Sequence, residues 1–289
     1  MSDEAVHTHQ DPTESTTPEP PRIAVVGGGV MGGTIITAVR VAGWPAEGIT
    51  VAEKDTARAG ALEEAHGIHA AASIADAVED AEVIVIAVKP QDADSALAEI
   101  ATAYKPGALV ITVAAGLPTA FYESRLPDGA PVVRSMPNTP AIVARGATAI
   151  APGSHATSQH LGVAEAMLRA TGLVVTVAEE DLDAVTAVSG SGPAYFYAVV
   201  EALTEAGVAH GLDRELATQL AAHTFVGAAQ LLMESGDTPQ KLRRRVSSPG
   251  GTTIAALEAM EHAGLQGVVS AGANAAAARS RELAQELGD

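Results

Sequence analysis

Two stretches of this 289-residue chain place glycines at a helix start, where an anion can be held. The first is Ser247-Ser-Pro-Gly-Gly-Thr-Thr253, directly before an apolar pattern of helical spacing at Ile254, Leu257 and Met260. Glycine turns the backbone without a Cβ clash, and the first amides of a helix have no partner inside it, so such a loop can hold a carboxylate. Taken alone, those residue types fit a plain N-cap behind a tight turn better than a site. A second anion-binding signal upstream tips the balance. In Arg22-Ile-Ala-Val-Val-Gly-Gly-Gly-Val-Met-Gly-Gly33 an apolar run ends in Gly27, Gly29 and Gly32, spaced G-x-G-x-x-G, and Thr34 to Val41 has a helical pattern. Strand, turn and helix in that order form the context of a dinucleotide pyrophosphate site. There Gly27 permits the turn, Gly29 lets the pyrophosphate approach, and Gly32 lets the helix pack closely. Val26, Gly28, Val30 and Met31 complete the expected cofactor cradle.

Together the two stretches resemble the pyrroline-5-carboxylate reductases. Pro239 to Glu261 is similar to that family's signature throughout, including Leu242, Val246, Ser247, Ser248, Gly250, Gly251, Thr253, Ala256 and Leu257. Similar blocks occur in the right order at Ala87-Val-Lys-Pro90, Ala114-Ala-Gly116, Met136-Pro-Asn-Thr-Pro140 and Asp183 to Tyr195. The resemblance implies reduction of 1-pyrroline-5-carboxylate to L-proline, with hydride passing from a nicotinamide to a cyclic C=N carbon. NADPH is the expected cofactor, with NADH possible. Ser248, Gly250, Gly251, Thr252 and Thr253 are expected to hold the substrate carboxylate. Thr253, the expected catalytic residue, matches the family threonine whose hydroxyl reaches the ring nitrogen. The resemblance sets Ala87, Val88, Lys89 and Pro90 against the nicotinamide and its ribose, and Lys54 against a 2′-phosphate; Ala114, Ala115 and Asn138 are the remaining cofactor candidates. It also implies dimers joined through helical domains, or rings of dimers.

The elements that must position these residues are legible in the apolar pattern. Ile23–Val26, Ile49–Ala52, Val83–Val88, Leu109–Val113, Val132–Arg134 and Leu173–Val177 read as strands alternating with helices. Alternation of this kind means a parallel sheet covered by helices, with ligands beyond the carboxyl ends of the strands. From Glu179 only helical patterns remain, with turns marked by Gly190-Ser-Gly-Pro193, Gly211, Gly236 to Pro239 and Gly264. The expected class is therefore α/β: a Rossmann-like parallel-sheet domain at 22–178, then an all-helical substrate-binding and dimerisation domain at 179–289. Residues 1–21, rich in Thr, Glu, Asp and Pro, read as a disordered acidic tail.

Individual side chains carry competing readings. Glu53, at the end of the second strand, favours a ribose diol and hence NAD, whereas Lys54 and Arg58 favour NADP. Lys89 follows an unbroken apolar strand, where lysine is ordinarily avoided. Asn138, between two prolines, suits a structural turn as well as a site. Ser189-Gly-Ser191 has no partnered base, and Tyr195 reads as core. The isolated histidines lie on no motif. A hydroxy-acid reductase of similar architecture would need a lysine on the helical half to protonate an alkoxide, and Lys241 is the only lysine there. A non-catalytic NAD(P)-sensing protein is the other alternative.

The formal charge of −18 opposes a nucleic-acid partner. The absence of cysteine excludes disulfides and thiol chemistry, and no metal site is expected. No apolar run reaches the roughly 18 residues of a membrane span, and no signal-peptide profile opens the chain, so the cytoplasm is the expected location.

Overall fold

The computed structural model describes residues 20–288. The acidic tail expected at 1–21 lies almost wholly outside the described residues.

In chain order the elements are β1 (Ile23–Val26), α1 (Val30–Val41), β2 (Ile49–Ala52), α2 (Thr56–His66), β3 (His69–Ala70), α3 (Ile74–Val78), β4 (Val83–Ile86), α4 (Ala93–Ala103), β5 (Leu109–Thr112), α5 (Thr119–Glu123), β6 (Val132–Met136), β7 (Gly146–Pro152), α6 (Ser158–Leu168) and β8 (Gly172–Thr176). Helices α7 (Leu182–Val185), α8 (Gly192–Ala209), α9 (Arg214–Ser235), α10 (Pro239–Arg245), α11 (Thr252–His262) and α12 (Leu265–Gly288) follow. One sheet runs in the order β3-β2-β1-β4-β5-β6-β7-β8.

Strand residues alternate between its two faces. Ala24, Val26, Ile84 and Ile86 pack with Val78, Leu97, Ile100 and Tyr122 on one side. Ile23, Val25, Val83 and Val85 pack with Ile35, Val39, Met167 and Leu168 on the other. Burial on both faces explains why these short strands read as unbroken apolar runs.

The sheet departs from the expected parallel arrangement at one edge, where β6 pairs antiparallel with β7 and β7 then pairs parallel with β8. The link from β6 to β7 holds only a 3-10 turn, Thr139–Val143. It is too short for the helical crossover that a parallel pair requires. Strands β1, β2, β4, β5 and β6 remain mutually parallel and end on a common edge.

The expected turn at Gly190–Pro193 is instead a π-helical segment, Thr186–Gly190, that leads through Ser191 into α8. Pro193 occupies the first turn of α8, where its missing N–H is not needed. This segment seats the helical half on the sheet: Asn138 Nδ2 donates to Ser189 O at 3.0 Å. Helices α8 and α9 form an antiparallel pair, and a Cβ on Gly207 would lie 2.9 Å from Ala217 Cβ. Helix α12 returns to the sheet domain, with the Ser280 hydroxyl donating to Asp183 Oδ1 at 2.7 Å and Leu283 Cβ set against Gly116.

Candidate active site

The dinucleotide cradle forms because three glycines sit where side chains have no room or would close an opening. Gly27 has φ +97°, and a Cβ there would meet Ala87 O at 2.8 Å. A Cβ on Gly32 would lie 1.9 Å from Gly27 O, so only glycine lets α1 start this close to β1. Gly29 differs: nothing lies within 4 Å of the place its Cβ would occupy. That open face is where an approaching ligand fits. Helix α1 has Gly29 at its N-cap with no side-chain cap, so the first-turn amides are free to receive an anion. The helix begins at Val30 rather than at the expected Thr34, which brings Val30, Met31 and Gly32 into that first turn.

A cavity of about 420 Å³ opens at the carboxyl ends of β1, β2 and β4. Val26, Gly27, Gly29, Lys54, Ala87, Val88 and Lys89, all candidate cofactor contacts, line it. Glu53, Arg58 and the small residues Ala71 to Ser73 complete much of the wall. Gly28, Val30, Met31, Gly32, Pro90, Ala114, Ala115 and Asn138 are not on its wall. Gly28 instead donates its N–H to Glu53 Oε2 at 2.8 Å. Asn138 is spent on structure, since its Oδ1 accepts from Ala147 N at 2.9 Å while its Nδ2 holds Ser189 O. Asn138 thus joins β7 to the helical half as a positioning residue.

The floor of the cavity is electrostatically organised around Glu53. Partial burial disfavours its charge, yet the amides of Asp55 and Gly28 and the Arg58 guanidinium outweigh that penalty and hold its carboxyl below the usual glutamate value. Arg58 Nη1 lies 3.2 Å from Glu53 Oε2. Composition and spacing had exposed these charges but not their partnership.

The candidate substrate turn is a second uncapped helix start. Gly251 is the N-cap of α11 without a side-chain cap, and Gly250 takes φ +70° to make the turn. A Cβ on Gly251 would fall 2.5 Å from Ser248 Oγ, so only glycine leaves that hydroxyl its place at the helix start, and the Gly251 N–H closes the turn on Ser248 O at 3.0 Å. Ser248, Gly250, Gly251, Thr252 and Thr253 thus share one turn and helix start. Asp237 pairs with both Lys241 and Arg245, which fixes α10 before the loop, whereas Arg243 and Arg244 stay exposed. Ser189 Oγ donates to Val185 O at 3.1 Å, a helix back-bond that leaves it no nucleophilic role. No residue from 179 onward lines the dinucleotide cavity, so within one chain the two cradles do not share a wall.

The comparisons agree with this geometry. A family model described as pyrroline-5-carboxylate reductase dimerisation matches residues 179–283, and one described as NADP oxidoreductase coenzyme F420-dependent matches residues 22–116. A pyrroline-5-carboxylate reductase of Mycobacterium tuberculosis is 43% identical over 91% of this chain and 96% of its own length. One from Pseudomonas aeruginosa is 41% identical over 93% of this chain and 98% of its own. Among solved structures, the Coxiella burnetii pyrroline-5-carboxylate reductase superposes with a TM-score of 0.88 at 33% identity, covering 91% of this chain and 98% of that one. A Plasmodium falciparum pyrroline carboxylate reductase with NADP bound gives 0.81 at 27% identity, covering 92% and 99%. With both glycine-entered helix starts in place and relatives this similar over nearly the whole length, the chain belongs to the pyrroline-5-carboxylate reductase family.

Proposed function

We propose that the chain reduces 1-pyrroline-5-carboxylate to L-proline with NAD(P)H. What carries this reading is the Ser248–Thr253 turn, a glycine-entered and uncapped helix start in a chain whose other glycine-entered helix start opens onto a cavity of dinucleotide character. The dinucleotide, when bound, supplies the hydride. The chain's own residues bind and orient. The Ser248 hydroxyl and the amides of Gly250, Thr252 and Thr253 hold the substrate carboxylate, the Gly251 N–H being spent on Ser248 O at 3.0 Å, and the Thr253 hydroxyl hydrogen-bonds the ring nitrogen. A cyclic imine that arrives protonated needs no side-chain acid, so positioning supplies most of the acceleration.

Each site is completed between two copies. The separation of the cradles within one chain supports this, as do the exposed Phe196, Leu203, Leu220, Val226 and Leu231 on α8 and α9, an apolar face that a partner would cover. The dimer, or a ring of dimers, resides in the cytoplasm and uses no nucleic-acid partner; no helix among the described residues is long and apolar enough to cross a membrane. Residues 22–178 bind the dinucleotide, and 179–289 bind substrate and join subunits.

The test follows NADPH and NADH oxidation in the presence of 1-pyrroline-5-carboxylate. Turnover is expected with the wild type, and Thr253→Ala should lose at least tenfold in kcat/KM, about 1.4 kcal/mol of transition-state stabilisation. No turnover with either dinucleotide would remove the reductase reading. An unaffected variant would remove only the role of Thr253.

A further inference from the structure

Helix α12 joins two parts of the chain that the reaction uses. It follows α11, the helix that starts at the substrate turn, through the tight corner at Ala263 and Gly264, and its 24 residues span about 36 Å. Its far end meets the loop that follows β5. Val113 N donates to Ile86 O at 3.0 Å, so this loop emerges beside Ala87 and Val88 of the dinucleotide cavity wall. In a dinucleotide fold the adenosine ribose lies at the end of β2, which leaves the nicotinamide for the opposite end, over β4 and β5. Both ends of the loop have hydrogen-bond partners: Ala114 N donates to Thr112 Oγ1 at 3.2 Å, and Thr119 N to Glu179 Oε1 at 2.7 Å. The apex, Gly116, is buried against α12 instead. It takes φ +88°, and a Cβ there would lie 3.4 Å from Leu283 Cβ and 3.7 Å from Ala284 N, so the α12 backbone itself rests on the loop. One turn earlier, Ser280 is buried and its hydroxyl donates to Asp183 Oδ1 in α7 at 2.7 Å. Ser280 and Leu283, three residues apart, share one face of the helix. The preceding Ala275 to Ala278 offer only methyl groups, and apolar burial is non-directional, so the hydrogen bond is what sets the register of α12.

We propose that Ser280 and Leu283 are positioning residues for hydride transfer: the Ser280–Asp183 hydrogen bond fixes α12 along its axis, and α12, through Leu283, backs the Ala114–Gly116 loop at the nicotinamide end of the cavity. The step they serve is hydride delivery to the C=N carbon, whose π pair passes to the already protonated ring nitrogen. Neither residue touches a reacting atom. A loop displaced by a fraction of an ångström changes the distance the hydride must cross, to which the chemical step is far more sensitive than substrate binding is. Because one tight corner joins α11 to α12, the same helix also ties the substrate turn to this loop. The inference rests on the reductase reading for the reaction, and it adds two residues to which that reading assigns nothing.

The test compares the wild type with Ser280→Ala, Ser280→Thr, Leu283→Ala and, as an exposed control on the same helix, Gln285→Ala. Single-turnover oxidation of NADPH by 1-pyrroline-5-carboxylate is followed by stopped flow with enzyme in excess, and KM is taken from steady-state rates. A structural defect that inactivates part of a preparation lowers the amplitude and leaves the rate constant alone, whereas a misplaced loop lowers the rate constant. Ser280→Ala and Leu283→Ala should each lower that rate constant about fivefold or more, at full amplitude and with KM within about twofold of the wild type. The slowed phase should carry a deuterium isotope effect of about 2 or more when the transferred C4 position of NADPH is labelled. Ser280→Thr, which keeps the hydroxyl, and Gln285→Ala should stay within about twofold of the wild type. Leu283 is only half-buried, so its variant keeps the test decisive should Ser280→Ala fail to fold. Unchanged rate constants, a loss of amplitude alone, a slowed phase without an isotope effect, or an equal loss in Gln285→Ala would each overturn the inference and leave the reductase reading standing. No turnover by the wild type with either dinucleotide would overturn that reading, and the inference with it.

Discussion

The Glu179 carboxylate accepts both the backbone N–H and the hydroxyl of Thr119, each at 2.7 Å, and so ties the first residue of the helical half to the start of α5. Arg134, buried in the middle of β6, adds Nη1 at 3.2 Å. Thr119 closes the loop that begins at Ala114, and this carboxylate therefore sets the helical half against one of the strand-end loops. Removing it leaves a buried guanidinium and a buried hydroxyl without their acceptor. Glu179→Ala should lower stability by about 2 kcal/mol, read from the midpoint of urea unfolding, with Glu179→Gln intermediate. A midpoint equal to the wild type would show that water replaces the clamp at no cost.

Gly29 and Gly32 stand three residues apart and make opposite predictions. Gly32→Ala forces a methyl into Gly27 O, so the turn must move, which costs roughly 1–3 kcal/mol and weakens dinucleotide binding with it. Gly29→Ala adds a methyl to open space at an ordinary extended backbone, φ −65° and ψ −164°. Its melting temperature should match the wild type, while NADPH affinity falls tenfold or more, because the methyl occupies ground a pyrophosphate would use. Equal thermal losses in the two variants would contradict the assignment of that open face.

The pattern of what was legible follows from chain locality. Strands β1, β4 and β5 announced themselves because both faces are buried and every position except Thr112 is apolar. Strand β7, Gly-Ala-Thr-Ala-Ile-Ala-Pro, has weak strand propensity and is fixed by pairing with β6 and β8, which no local pattern reveals. Strand β3 has two residues, too few for any period. Both glycine turns were readable since their constraint is local. The Glu179–Thr119–Arg134 cluster joins residues 60 and 45 positions apart, and no spacing rule reaches that far. Glu53 was visible as a charge, but its occupation by Gly28, 25 residues away, was not.

Completion of the site between copies predicts complementation. Gly29→Ala damages the dinucleotide cradle and Thr253→Ala the substrate cradle, each in its own chain. After unfolding and refolding as a mixture, a mixed dimer would carry one composite site with both cradles intact. Random pairing places about a quarter of all sites in that state, so activity should rise well above either variant alone. Activity that stays at the mean of the two would mean that each chain builds its own site.

Alkaline pH should reveal Tyr122. Burial pushes its phenol up to about 12, against smaller opposing effects from the Thr112 hydroxyl and the Arg134 charge. Thr112 Oγ1 donates to the phenol oxygen at 2.7 Å and accepts from Ala114 N at 3.2 Å, so the buried tyrosine supports the loop after β5. In the unfolded chain a tyrosine loses its proton near pH 10. Between the two values the native state holds a proton that the unfolded state has released, and stability therefore falls as pH rises. The contribution is fully present below about pH 10 and amounts to about 2–3 kcal/mol lost by pH 12. Tyr122→Phe should cost about 1 kcal/mol at neutral pH by stranding the Thr112 donor, yet lose less stability than the wild type between pH 10 and 11.5. Tyr104, half-buried and also raised by burial, titrates in both proteins and cancels in the difference. Urea midpoints measured at half-unit intervals from pH 8 would show the two curves converging, whereas parallel curves would mean that the phenol ionises no less readily in the fold than in the open chain.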